Sequence, residues 1–284
     1  MSQSLGADLA TLPAPQIIEP LDFEQILADL KADILARAPE LAEVLALESD
    51  PIVKLLEACA YRELLYRARV NDAARAHLLA FATGGDLDHL AAQYGVDRQA
   101  GETDDRLRTR LQLRIAALAG QGTREHYEFH ALTASPLVRA VRASQAAPGS
   151  VLVMLWVTDQ AQAQAVRQQV SEALNADNAR MLGVPVNVAV AVPRSIDITA
   201  RITRTRTAPA GLLQQLQARL QAAFSGMSSL DGSVARSYIT TLLHVDGVHA
   251  VDYPDNARPA PITPIAAGEF PALGAVDLID AGVA

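Results

Sequence analysis

Lysine is almost missing from this chain of 284 residues, occurring only as Lys31 and Lys54, and cysteine occurs once, as Cys59. A single thiol excludes an internal disulfide framework and suits a reducing compartment. A basic excess is also lacking. The net charge is −8, against the positive footprint that nucleic-acid binding normally needs. Half of the residues are apolar, yet no uncharged run approaches the roughly 18 residues of a membrane span. The opening MSQSLGADLATLPAPQ has neither a basic leader nor an apolar signal core, so no cleaved export signal is expected. Aromatic residues make up 4%, which leaves aliphatic and alanine side chains to fill most of the core. Arginine supplies nearly all the positive charge. Its planar fork suits protein–protein contacts, although genomic base composition produces the same bias. No phosphate loop, dinucleotide fingerprint or nucleophile elbow is present.

What is there divides the chain by composition. Residues 1–20 carry Pro13, Pro15 and Pro20 and read as an extended arm. Asp22 with Gln25 three residues later fits a capping box, and Phe23, Ile26, Leu27, Leu30, Ile34 and Leu35 share one helical face. That helix should stop near Pro39, and a short one, Glu40 to Leu47, follows. Asp50 caps and Pro51 opens the next element, where no proline or glycine intervenes until Gly84-Gly85. The spacing predicts about 33 helical residues, or roughly 50 Å at about 1.5 Å per residue. Along it Ile52, Leu56, Cys59, Glu63, Tyr66, Val70, Ala73 and His77 alternate by four and three, a seam suited to a helical bundle. Periodicity alone leaves open whether the bundle lies within the chain or between chains.

Gly84-Gly85 is expected to close that helix and Asp86 to cap a short one ended by Gly95. Thr103 opens another, with Asp104 and Asp105 in its first turn, and Thr123 caps one that runs to about Ala134. Beyond Pro136 the pattern turns to strands. Leu137–Ala143 and Val151–Thr158 flank the loop SQAAPGS, Gln160 to Asn175 is helical, and Val184–Val192 is β-rich. Ile196, Ile198, Ala200 and Ile202 alternate with Asp197, Thr199, Arg201 and Thr203, as in a half-buried strand. Pro209–Phe224 and Ser233–His244 read as helices and Val248–Tyr253 as a last strand. Five prolines between Pro254 and Pro271 suggest an extended strap.

Several segments are similar to one family. ATGGDLDHLAAQYGVDR (Ala82 to Arg98), ETDDRLRTRL (Glu102 to Leu111), SPLVRAVRA (Ser135 to Ala143) and PGSVLVMLW (Pro148 to Trp156) resemble, in that order, segments of baseplate J-like proteins. The resemblance covers essentially the whole chain. It implies a wedge subunit of a contractile phage-tail or tailocin baseplate, assembled in the bacterial cytoplasm and retained in the particle. In such machines two J-like copies join one I-like partner through a helical bundle. Six wedges then surround the hub, J-like C-terminal domains pair with neighbouring wedges, and the wedge holds a sheath-initiating subunit and the tail-fibre attachments.

Other residues could carry chemistry. His126 and His130 stand i, i+4 on a predicted helix beside Glu125 and Glu128, a spacing that can share zinc. The metalloprotease motif needs Glu directly after the first histidine, where Tyr127 stands, and nothing nominates a third ligand. Adjacent Asp104 and Asp105 point about 100° apart and suit the helix dipole better than catalysis. Cys59 has no neighbouring base and reads as a small core residue. Glu63 and His77 either pair across an interface or lie at the seam's edge in water. Arg201, Arg204 and Arg206 read as an interface patch or a solvated face. The expected fold is α+β: an N-terminal helical bundle segment with one very long helix, then two small α+β domains in tandem. The expected divisions are 1–20, 21–134, 135–193, 194–253 and 254–284. The expected function is a non-enzymatic wedge subunit without cofactor, whose bundle face is the seam from Ile52 to His77. The alternatives are a small metal-dependent hydrolase using His126 and His130, and an assembly chaperone absent from the final particle.

Overall fold

The computed structural model describes residues 19–177 and 179–284 as a mixture of helices and sheets. Most of the arm expected over residues 1–20 lies outside the described residues. The chain divides into two compact units at Gln112/Leu113, within one helix.

The first unit is helical. Helix α1 (Phe23–Arg37) starts at Asp22, whose side chain accepts from Gln25 N, while the Gln25 amide turns to Asp29 rather than completing the box. A 3-10 turn at Pro39–Leu41 leads into α2 (Ala42–Leu45), shorter than the expected Glu40–Leu47. Helix α3 (Pro51–Ala76) is capped by the Asp50 carboxylate on Ile52 N, with Pro51 in the first turn, where its missing amide is not needed. Ile26 and Leu27 of α1 pack with Leu45 and with Val53, Leu56 and Ala60 of α3 into a buried cluster.

The long helix ends earlier than expected, after 26 residues. The Arg108 guanidinium donates to the carbonyls of Leu79 (2.9 Å) and Ala82 (2.8 Å), which holds residues 78–83 in a turn. Gly84 and Gly85 therefore open α4 (Gly84–Ala92) instead of closing α3, and Thr83, not Asp86, occupies the cap position. Gly84 sits at φ +52 and donates its amide to Asp104. Helix α5 (Asp104–Ala117) then carries Asp104 and Asp105 in its first turn.

In the second unit, α6 (Arg124–Ala134) is capped by the Thr123 hydroxyl on His126 N. Strands β1 (Val138–Ala147) and β2 (Ser150–Val157) form an antiparallel hairpin whose turn is tighter than expected, because Gly149 at φ +78 lets pairing continue to Ala147–Ser150. Helix α7 (Ala163–Asn175) crosses to β3 (Val186–Val190), which pairs parallel to β2. Helix α6 packs on β1 and α7.

A second sheet follows after the single residue Ala191, with β4 (Val192–Arg204) between β6 (Val248–Asp252) and β8 (Glu269–Val283). In β4 (Val192–Arg204) the expected alternation is observed: Ile196, Ile198, Ala200 and Ile202 are buried against Leu212, Leu216, Leu220 and Phe224 of α8 (Leu212–Gly226). The expected helix at Ser233–His244 splits into β5 (Gly232–Ala235) and α9 (Arg236–Leu243). Ser233 and Val234 are drawn into a ladder with β7 (Ile262–Ile265), a partner that local sequence cannot announce. Strand β6 (Val248–Asp252) pairs antiparallel to β4. The C-terminal segment is more than a strap, because β8 (Glu269–Val283) runs parallel to β4 for most of its length.

Candidate functional site

Helix α3 is apolar on two faces. One holds Val53, Leu56, Ala60 and Leu64, which pack within the unit. The same face carries Asn71, 4% exposed, whose side-chain amide accepts from Glu19 N (2.9 Å) and donates to Glu19 O (2.8 Å). This clasp fixes the backbone entering α1 against the C-terminal part of α3. Nothing in the pattern of apolar residues signalled it.

The other face lies roughly a third of a turn around the helix at about 100° per residue. It presents Ile52, Leu55, Cys59, Tyr66, Val70 and Ala73 to solvent. Leu55 is 65% exposed, Tyr66 66% and Val70 49%. Exposed apolar side chains at this density along several helical turns mark an interaction surface more often than a solvated face.

Of the eight residues in the expected seam, Ile52, Cys59, Tyr66, Val70, Ala73 and His77 are exposed on this face. Leu56 instead turns into the internal cluster. Glu63 is half-buried and held by Arg67 Nη2 at 2.6 Å on its own helix, so its partner is intramolecular. Cys59 is exposed and not the small core residue that its apolar neighbours suggested. Leu55, also on this face, is exposed and fell outside the seam, while Tyr61 and Leu65 are exposed on other sides of the helix. A period of 3.6 in place of 3.5 would have included Leu55. Toward its C-terminal half, α3 forms a groove with α4 lined by Leu65, Arg69, Ala73, His77, His89 and Leu90.

Several titratable groups elsewhere have partners within the chain. His126 Nε2 lies 2.8 Å from Ala179 O, and its ring meets His130 edge-on at 4.5 Å between centroids. Burial, with His126 and Arg114 nearby, pushes the His130 pKa down to about 4. Glu128 is 5% exposed and accepts from Ala143 N at 3.0 Å, and burial pushes its pKa up to about 7. Asp104 accepts from Gly84 N and pairs with Arg98 (2.7 Å), which holds its carboxyl below the usual range. Arg204 pairs with Asp280 at 2.7 Å, while Arg201 and Arg206 are exposed. Among the described residues, no three His, Cys, Asp or Glu side chains gather in a metal-binding group, and no helix is long and apolar enough to cross a membrane.

With α3 and its caps placed, the comparisons identify the family. Residues 48–105, which span α3, α4 and the start of α5, match the model of the baseplate J-like N-terminal domain. The chain is also 33% identical over 272 residues to baseplate protein J of Escherichia phage P2, covering 86% of this chain and 89% of that protein. The chain belongs to the baseplate J family. Members are baseplate structural proteins of phage tails, and here the matched N-terminal domain is the part that carries the exposed α3 face.

Proposed function

We propose that this baseplate J-family chain is a wedge subunit of a contractile tail, and that the exposed face of α3 is the surface through which it enters the wedge's helical bundle. The observation that carries the reading is a 26-residue helix with one face already packed inside its own unit and an adjacent apolar face in water. A second helix laid along Leu55, Tyr66 and Val70 would remove that apolar area from solvent, at about 25 cal/mol per Å². Knobs-into-holes packing would set the register.

In the assembled particle the bundle contains two copies of this chain and one I-like partner. Neighbouring wedges, the sheath-initiating subunit and the tail-fibre attachment contact the remaining surfaces. The chain acts by assembly and by transmitting the rearrangement that triggers sheath contraction, with no catalytic step.

Co-expression with the I-like protein, followed by native mass spectrometry, tests this. The expected result is a complex of two copies to one that Tyr66→Asp abolishes. A stable lone monomer in the presence of the partner would overturn it.

A further inference from the structure

The second unit is built as two lobes joined by one crossing of the chain. The first lobe carries the β1-β2-β3 sheet with α6 and α7; the second carries the β6-β4-β8 sheet with α8 and α9. The handover is abrupt. Ala191 N donates to Leu155 O in the first sheet (2.8 Å), and Val192 N, the next amide, donates to Gly268 O in the second lobe (2.9 Å).

Side chains of the two lobes meet in a small cluster, with Ala140, Trp156 and Ala191 on one side and Leu230 and Phe270 on the other. At its centre Trp156 of β2 stacks on Phe270 of β8, with centroids 4.4 Å apart and planes inclined by 15°. The Arg139 guanidinium lies 4.6 Å from the Trp156 ring centroid and also donates to Ser225 O at the end of α8. The first lobe thus supplies a cation and an indole, and the second grips them with a phenyl ring and a carbonyl. A cleft runs beside this stack, bounded by Trp156, Phe270, Gln217 and Gln221. Parting the rings would break no helix or strand ladder, and besides the Arg139 contact it would disturb the Arg142–Asp231 ion pair (3.4 Å) that also joins the lobes. Small interfaces of this kind between parts of one chain permit relative motion, and a short connection at the contact is where a hinge would lie.

We propose that the Arg139–Trp156–Phe270 stack is a releasable joint. With the rings stacked the two lobes move as one body, and with the rings parted they turn independently about the Ala191–Val192 peptide. The inference stands on the lobes' own geometry and does not rest on the wedge reading.

Trp156 is the chain's single tryptophan, so its emission reports the stack directly. The test uses the full chain with Cys59→Ser and spin labels at Gln168→Cys on α7 and Arg219→Cys on α8. Phe270→Ala should redden the emission and broaden the label–label distance distribution. It should also speed hydrogen exchange at Ala191 and Val192 by about tenfold, in line with the loss of one aromatic pair. Amides inside each sheet, such as Leu155 and Ile202, should keep their wild-type protection. An unchanged distance distribution would overturn the proposal. So would loss of protection throughout the second sheet, which would make the stack ordinary core. Arg139→Gln leaves both rings in place and guards against a misfolded Phe270→Ala. It should broaden the distances in the same direction by less, and no broadening with it would count equally against the joint.

Discussion

Arg110 places a guanidinium nitrogen 2.7 Å from the Glu102 carboxylate, with both side chains almost wholly out of water. Arg106 approaches the second carboxylate oxygen at 3.3 Å, Gln99 N donates to the first, and Arg98 donates to the Glu102 carbonyl. Around this pair α4, the following loop and the start of α5 close into one polar knot inside the family-matched segment.

Breaking that knot from one side should be costly, because the remaining charge stays buried. Glu102→Gln should destabilise by roughly 3–5 kcal/mol in urea unfolding. Arg110→Met should do less harm, since Arg106 remains beside Glu102. The double substitution Glu102→Gln/Arg110→Met should recover part of the loss, and strict additivity of the two changes would contradict a coupled pair.

The two apolar faces of α3 should separate folding from assembly. Leu56→Ala, on the packed face, should lower stability by about 2–5 kcal/mol. Tyr66→Ser, on the exposed face, should change it by no more than about 0.5 kcal/mol in thermal unfolding. Only Tyr66→Ser should remove partner binding while leaving the monomer folded.

Acid sensitivity in the second unit should show two opposed contributions from α6. Glu128 is raised in the fold from 4.5 to about 7, so the folded protein holds that proton more tightly, and this contribution falls as pH rises from 4.5 to 7. His130 is lowered from 6.5 to about 4, so its neutral form is favoured, and that contribution is lost as pH falls from 6.5 toward 4. Each is on the order of 3 kcal/mol at full extent, and over the shared window they largely cancel. Wild-type stability should therefore be nearly flat between those limits. Glu128→Gln should expose a fall in stability on acidification, and His130→Gln should expose a rise. Chemical denaturation at pH 4.5, 5.5 and 7 reads both slopes.

How much of this was legible in the sequence depends on whether the deciding partner was local. The caps at Asp22, Asp50 and Thr123 and the alternation in β4 rest on residues within a turn or two, and all four are seen. The end of α3 was not legible, because Arg108, 29 residues beyond Leu79, takes the carbonyls that a longer helix would use. Strands β5 and β8 depend on ladders to β7 and β4; the first residues of β5 read as the start of a helix, and proline-rich sequence before β8 read as a strap. For the candidate site, the helix was readable, but the division into packed and exposed faces was not. Only the position of α1 shows that Leu56 turns inward while Leu55 and Tyr66 remain outside.

The turn after α3 offers the last prediction. Its carbonyls at Leu79 and Ala82 are taken by one guanidinium, and Gly84 N by the Asp104 carboxylate, so α5 holds the turn from both ends of its backbone. Arg108→Met keeps an unbranched apolar stem but leaves both carbonyls without their donor. That should cost about 1–3 kcal/mol, the usual penalty for buried acceptors left unsatisfied. Hydrogen exchange of Ala82 N and Gly84 N should accelerate with it, while Ala60 N in the packed part of α3 stays protected. If exchange at Ala82 and Gly84 is unchanged, the turn is set by its own glycines and not by Arg108. Leu78–Thr83 would then be expected to stay non-helical in any relative that lacks the arginine.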